Sequence, residues 1–145
     1  MKRVAVATLA AATFVVVFAS TAGAADPPSD RVVAMYFHRT KRCPTCQKMG
    51  SYSEEAVKKG FAKQVKAGSV EFHYVDFQDK KNAALTKGYK ISGPALIVAK
   101  IKGNKVKEYK NLKDIWTKVQ AKPEFIKYVR ANVESFRQQG RTATD

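Results

Sequence analysis

The stretch RVVAMYFHRTKRCPTC, residues 31–46, decides the fold of this chain. Residues 31–37 form a nearly continuous apolar run, which is typical of a strand that is buried on both faces. A short basic loop follows, and Cys43-Pro44-Thr45-Cys46 then opens a helical pattern in which Pro44 suits the first turn. The sequence therefore predicts a cysteine pair at the junction of a buried strand and a helix.

Helix and strand patterns alternate after the cysteines. Gly50 is expected to bend or interrupt the first helix, Ser51-x-x-Glu54 is typical of a capping box that restarts it, and the helix should end near Gly68. The later elements are predicted as a strand over 70–77, a short helix within 79–89, a hairpin of strands over 95–101 and 105–109, and a helical end in which Pro123 starts a new helix. The order predicts an α/β domain, β-α-β-α-β-β-α.

The N-terminus has the pattern of a secretory signal peptide. Two basic residues precede an apolar run over 4–19, and Ala22-Gly23-Ala24 has the small-x-small form of a cleavage site. An uncleaved membrane anchor is the alternative, although the run is short for a span of about 20 residues. We predict a signal peptide (1–24), a flexible lead (25–30), one domain (31–138) and a polar tail (139–145). The protein is expected in the periplasm or secreted, where thiols can be oxidised.

The chain of 145 residues is strongly basic, with 27 Lys and Arg against 12 Asp and Glu and a formal charge of +15. Most of this charge is expected on solvated faces. No aromatic-interleaved basic motif indicates a nucleic-acid partner. A weak contact with an anionic membrane surface, or an acidic protein partner, is the better alternative.

The chain has two cysteines, which excludes a multi-bridge scaffold and a four-cysteine zinc site. Thiol–disulfide exchange needs an accessible thiolate and a second thiol that resolves the mixed disulfide. Cys43 is the predicted attacker because the positive end of a helix and the basic Lys41 and Arg42 favour its thiolate, while Cys46 is the predicted resolving thiol. His38 is a loop residue that would tune the charge of this site together with Arg42.

We expect the pKa of the reduced Cys43 thiol to lie below the ordinary value of cysteine. A stabilised thiolate stabilises the reduced pair and raises its reduction potential, which favours donation of the disulfide. Two other interpretations remain open: an inert structural disulfide, or a Cu(I) or As(III) site with His38 and His73. We predict no metal ligands and no cofactor.

Two motifs, RCPTC at 42–46 and YKISGPALIV at 89–98, give the chain a resemblance to the thioredoxin-like superfamily. The resemblance implies a central mixed four-stranded sheet flanked by helices, and a thiol–disulfide oxidoreductase. With the signal-peptide pattern, we expect an exported protein, and we expect it to be a monomer. Its partner would be a protein or small molecule that carries a disulfide or a dithiol. The resemblance also implies that Gly93 and a cis Pro94 bind the substrate beside the cysteines. More narrowly, FHRTKRCPTC at 37–46 resembles small exported thioredoxin-like proteins described as a nitrophenyl-nitroreductase subunit near arsenic-resistance genes.

Three features depart from the thioredoxin pattern. Arg42 stands where thioredoxins carry Trp, and Trp116 is expected far away in the C-terminal helix. The first strand has no buried acid, and Tyr36 or Phe37 takes its place. The segment 89–94 is also about one residue shorter than in thioredoxins. These departures favour a dedicated, partner-specific oxidoreductase. The alternative is a non-enzymatic thioredoxin-like module that binds Cu(I) or As(III) or serves in a larger redox complex.

Overall fold

A computed structural model describes residues 28–139 of the chain. The predicted signal peptide, residues 25–27 of the lead and residues 140–145 of the tail lie outside the described residues. The elements are β1 (Asp30–His38), α1 (Pro44–Gly60), α2 (Ala62–Lys66), β2 (Val70–Asp76), a 3₁₀ turn (Lys80–Asn82), α3 (Ala83–Gly88), β3 (Ala95–Lys102), β4 (Lys105–Asn111), α4 (Ile115–Lys118) and α5 (Lys122–Gln138). Over this range, no helix has the length and apolar composition needed to cross a membrane.

The four strands form one mixed sheet in the order β2-β1-β3-β4. β1 and β2 are parallel, whereas β3 runs antiparallel to β1 and β4 runs antiparallel to β3. Helices flank the sheet, so the predicted α/β fold with a central mixed four-stranded sheet is confirmed. This arrangement is the one that the resemblance to thioredoxins implies.

The apolar run of β1 is buried on both faces, as predicted, because each face of the sheet has its own core. Val32, Ala34 and Tyr36 belong to the core under α1 and α5. Val33, Met35 and Phe37 belong to a smaller core on the opposite face. β1 therefore lies at the centre of the domain, and its C-terminal end leads directly to the cysteines.

Gly50 does not interrupt the first helix, contrary to the sequence prediction. α1 continues through it, and the break comes at Phe61, where φ is −129° and ψ is 37°. A Cβ atom at Gly50 would lie only 2.9 Å from ring atoms of both Tyr36 and Tyr74. The glycine is explained by this close approach of α1 to the two rings rather than by a bend.

β4 is an edge strand, and all seven of its residues are exposed. Lys105, Lys107 and Lys110 carry positive charge along it, and Glu108 lies between the last two. Val106 and Tyr109 are 47% and 41% exposed, respectively. The strand thus presents apolar and cationic side chains together at one side of the sheet.

Candidate active site

The cysteine pair lies where the sequence predicted it, between β1 and α1. Cys43 is the N-cap of α1 and has an extended backbone, and Pro44 follows in the first turn. Cys43 and Cys46 form a disulfide with their Cα atoms 5.1 Å apart. The backbone N–H of Cys46 donates to Cys43 Sγ at 3.2 Å. The Cys46 N–H belongs to the first turn of α1, where it has no hydrogen-bond partner within the helix. It is aimed instead at the sulfur that would carry negative charge after reduction.

The two cysteines differ in accessibility. Cys43 is exposed, whereas Cys46 is 7% exposed. An incoming thiolate would therefore reach Cys43 Sγ and displace Cys46. The predicted attacker, Cys43, is thus the accessible cysteine, and the predicted resolving thiol, Cys46, is the buried one.

The loop that leads to Cys43 is anchored to the segment after β2. The Thr40 hydroxyl donates to Asp76 Oδ2 at 2.7 Å, and the Thr40 N–H donates to Gln78 Oε1 at 3.0 Å. The Phe77 N–H donates to the carbonyl of His38 at 3.0 Å. The hydrogen bond from Thr40 and the N–H of Gln78 hold the pKa of Asp76 below its usual value. These bonds fix the approach of the chain to the disulfide.

A buried phenol, not a carboxylate, lies beneath the pair. Tyr36 is fully buried, and its hydroxyl donates to the carbonyl of Cys46 at 2.8 Å. Burial raises the pKa of Tyr36 to about 12, although the charge of Arg42 opposes this. Phe37, the other residue considered for this place, belongs to the core of the opposite face. The group next to Cys46 is therefore neutral at physiological pH.

Tyr36→Phe is expected to change how stability depends on pH. The unfolded chain loses the Tyr36 proton near pH 10, while the folded protein keeps it to about pH 12, so the free energy of unfolding should fall over this window. Below pH 10, the variant should be less stable by about 1 kcal/mol because the bond to Cys46 is lost. Urea unfolding from pH 8 to pH 12 should show this deficit shrinking above pH 10. A constant deficit would contradict the raised pKa.

Arg42 and His38 both contact the ring of Tyr74, and His38 is the last residue of β1 rather than the loop residue that was predicted. The guanidinium of Arg42 is 5.2 Å from the centroid of the Tyr74 ring, and the Tyr74 hydroxyl donates to Glu54 Oε2 at 3.0 Å. The His38 ring contacts the same tyrosine at 5.9 Å between centroids, and its Nδ1 is 2.9 Å from the carbonyl of Arg39. Neither of the two predicted tuning residues lines the cavity next to the disulfide. That they tune the cysteines stays a prediction.

A cavity of about 310 Å³ opens beside the disulfide. Besides the two cysteines, its lining consists of Arg39, Lys41, Pro94 and Trp116. The expectation that Trp116 lies far from the cysteines is therefore wrong. The indole is 48% exposed and forms part of the wall of this cavity.

Trp116 reaches the site because α4 is a short, separate helix. Leu112 and Ile115 are fully buried, and the Leu112 N–H donates to the carbonyl of Leu96 on β3 at 2.8 Å. Trp116 follows the buried Ile115 and so faces outward from the stripe that Ile115 and Val119 form. A large aromatic residue off the buried stripe was the available signal in the sequence.

Pro94 lies at the cavity, as expected, but the peptide bond before it is trans. The expectation of a cis bond is therefore wrong. The trans form is favoured before proline by about 0.5–1 kcal/mol, and three consecutive bends over residues 92–94 turn the chain into β3 without it. The sheet order depends on the strand pairing, which begins at Ala95 opposite Phe37, and not on this bond.

A second cavity, of about 250 Å³, shares Pro94 and Trp116 with the first. Lys90, Gly93 and Lys113 are among its other lining residues. Gly93 faces open space, because a Cβ atom there would meet nothing within 4 Å. The two adjacent cavities form a groove that leads from the disulfide past the indole, and we call it the Trp116 groove.

Lys90 has a left-handed backbone, with φ of 54°. The Ile91 N–H donates to the carbonyl of Thr86 at 2.9 Å, and the Lys90 N–H donates to that of Lys87 at 3.1 Å. This is the Schellman end of a helix, at which glycine is the usual residue. A residue other than glycine costs about 1–2 kcal/mol in this conformation. A lysine therefore occupies a position of the groove where local stability favours glycine.

The histidines that an alternative metal site would use are separated from each other. His73 is exposed on β2, and its Nε2 is 2.7 Å from Glu71 Oε2. His38 contacts the ring of Tyr74, as described above. Within the described part of the chain, no three His, Cys, Asp or Glu side chains are grouped to hold a metal ion.

Comparisons with known proteins find similarity to solved structures. No protein-family model matches the chain, and no curated protein matches it. The structure of a malarial protein is 21% identical with a TM-score of 0.38, over 62% of this chain and 94% of that chain. The solution structure of a thioredoxin from Thermus thermophilus is 19% identical with a TM-score of 0.34, over 62% of this chain and 72% of that chain.

Proposed function

We propose that the protein is a thiol–disulfide oxidoreductase that acts through Cys43 and Cys46 and serves as a disulfide donor. The observation that carries this proposal is the exposed Cys43 at the start of α1, which lines the cavity and accepts the N–H of Cys46 at its Sγ, while its disulfide partner is buried. An inert structural disulfide needs no such difference in access.

The reaction balances as an exchange of two electrons. A substrate thiolate attacks Cys43 Sγ, the Cys43–Cys46 bond breaks, and Cys46 leaves as a thiolate that takes up a proton. The second substrate thiol, after losing its proton, then attacks the substrate sulfur bonded to Cys43, and Cys43 leaves as a thiolate. The substrate departs as a disulfide, and the protein is left with a reduced pair.

The charges around Cys43 support a protein that donates its disulfide to substrate thiols rather than one that reduces substrate disulfides. The helix start, together with Arg39 and Lys41 on the cavity wall, favours a thiolate at Cys43. The neutral Tyr36 beneath the pair adds no opposing charge. A stabilised thiolate in the reduced protein raises the reduction potential of the pair.

The groove supports the predicted binding role of Gly93 and Pro94. Pro94 lines both cavities, and the backbone at Gly93 is open to an approaching chain. We propose that an extended substrate segment lies here with its sulfur against Cys43.

Trp116, the single Trp of the chain, provides the experiment that tests the proposal. A disulfide quenches an adjacent indole by accepting an electron from its excited state, so reduction should raise the fluorescence of Trp116. Titration of the purified protein in dithiol/disulfide buffers should give one reversible two-electron transition, in which a tenfold change in the equilibrium constant corresponds to about 30 mV. The Cys43→Ser, Cys46→Ser double variant should show no transition. A disulfide that stays oxidised in the folded protein would overturn the proposal.

We propose further that the protein is exported. The basic start, the apolar run over 4–19 and the Ala22-Gly23-Ala24 site support this proposal. An oxidising compartment would also allow the reduced cysteine pair to be reoxidised to the disulfide after each reaction. Sequencing of the protein from the periplasmic fraction should find Ala25 as the first residue, and recovery of uncleaved chain from the cytoplasm would contradict export.

The resemblance of residues 37–46 to the nitroreductase-associated proteins supports a narrower proposal, in which the physiological partner belongs to a larger redox complex. Co-purification with a second redox subunit would support it.

A further inference from the structure

The Trp116 groove is unusual in the charge of its lining. Arg39 and Lys41 lie in the cavity that contains the disulfide, while Lys90 and Lys113 lie in the neighbouring cavity. Of the residues that the structure describes, no acidic one lines either cavity. Each of the two cavities of the groove therefore has two cations in its lining, and the two cavities share Pro94 and Trp116.

Among residues 28–139, these four cations form no ion pair with an acidic side chain. Across residues 28–139, side-chain ion pairs form at other basic residues, namely Arg31, Lys58, Lys59, His73, Lys81, Lys122 and Arg137. All four groove cations are exposed. A ligand can therefore meet their charges without first breaking an ion pair.

Lys90 adds an independent observation. Lys90 has a left-handed backbone, in which glycine would be more stable, and it lines the groove. Strain of this kind tends to occur where a side chain serves a site. The strained residue here contributes positive charge next to the open backbone of Gly93.

We infer that the groove selects polypeptide substrates whose reacting cysteines are flanked by acidic residues. This inference rests on the proposed function. The substrate thiol would enter the cavity at Cys43, its chain would pass the indole of Trp116, and its carboxylates would meet Lys90 and Lys113. Two cavities in a row provide more room than the side chain of one cysteine needs, which favours a peptide over a small anionic thiol.

The test uses three peptides that each contain two reduced cysteines and differ only in their flanking residues, which are Glu, Gln or Lys. The rate at which each peptide reduces the oxidised protein is followed by the fluorescence of Trp116. We expect the Glu peptide to react about tenfold faster than the Gln peptide, and the Lys peptide to react most slowly. The preference should fall as NaCl rises from 0.05 M to 0.5 M, because salt screens exposed charges.

A matched pair of variants locates the effect. The Lys90→Gly, Lys113→Gln protein should lose most of the preference for the Glu peptide, while its melting temperature should not fall because glycine suits position 90. The Lys105→Gln, Lys107→Gln protein loses the same charge at two residues of β4 that line neither cavity, and it should keep the preference. Equal loss in both proteins would assign the effect to overall charge and overturn the inference.

The remaining outcomes separate this inference from the proposed function. If all three peptides exchange at equal rates, the inference is wrong and the oxidoreductase proposal stands. If no peptide exchanges, both are wrong. Reduced glutathione supplies an anionic thiol without a flanking chain, and a rate equal to that of the Glu peptide, compared per thiol, would overturn the assignment of a polypeptide substrate.

Discussion

The Cys46→Ser variant is expected to accumulate a mixed disulfide through Cys43, whereas the Cys43→Ser variant should accumulate none. Cys43 is exposed and would attack a substrate disulfide, while Cys46 is 7% exposed and lies one turn into α1. Without Cys46, the protein has no second thiol of its own to resolve the covalent complex. Both variants should lose catalysed oxidation of a dithiol peptide down to the uncatalysed rate.

Mass spectrometry after incubation with an excess of the disulfide-linked dimer of a one-cysteine peptide measures this trapping directly, because the peptide bonded to Cys43 then carries no second thiol. Cys46→Ser should gain the mass of one peptide, and a dithiol reagent should remove it. The protein that lacks both cysteines is the control for non-specific association. Equal trapping by the two single variants would remove the assignment of roles to the two cysteines.

Gly50→Leu should strongly destabilise the protein. The first added atom would lie 2.9 Å from the rings of Tyr36 and Tyr74, and Tyr36 is fully buried and bonded to Cys46. Overpacking of a core costs about 1–3 kcal/mol. We expect a net loss near the upper end, because leucine brings three further atoms and gains only about 1 kcal/mol in helix propensity. Urea unfolding gives the difference.

Gly88→Leu is the matched control, since Gly88 is also helical and a Cβ atom there would meet nothing within 4 Å. Its free energy of unfolding should stay unchanged or rise slightly. A Gly50 variant as stable as the Gly88 variant would show that α1 can move away from the two rings.

Much of the fold was predictable because hydrophobic pattern and secondary structure coincide over β1 and β3. A run that is apolar at consecutive positions is explained only by burial on both sides, and Val32 and Val33 belong to different cores. Gly50 misled the prediction because glycine disfavours helices in general. Its real cause, the approach of two rings, comes from β1 and β2 and is invisible in the local sequence.

The cysteines of the candidate site were predictable from their position before a helix, but the wall that faces them was not. Trp116 lies 70 residues after Cys46 along the chain and reaches the cavity only because Ile115 and Leu112 dock α4 on the core. The trans bond at Pro94 was missed for a different reason, since sequence does not distinguish the two isomers of a prolyl bond. Lys90 gave no signal, because its left-handed backbone depends on how α3 ends.

The lysines of β4 also bear on how the protein behaves at high concentration. β4 is an exposed edge strand that carries Val106 and Tyr109, and the unpaired N–H and C=O groups of such a strand can pair with a strand of another molecule. Repeated pairing of copies through such edges leads to fibrillar aggregation. In a parallel, in-register pairing of two copies through β4, Lys105, Lys107 and Lys110 of one would lie beside the same residues of the other, at a spacing of about 4.8 Å between strands. Repulsion at that distance opposes open-ended growth of the sheet, so the edge strand gives this protein colloidal stability.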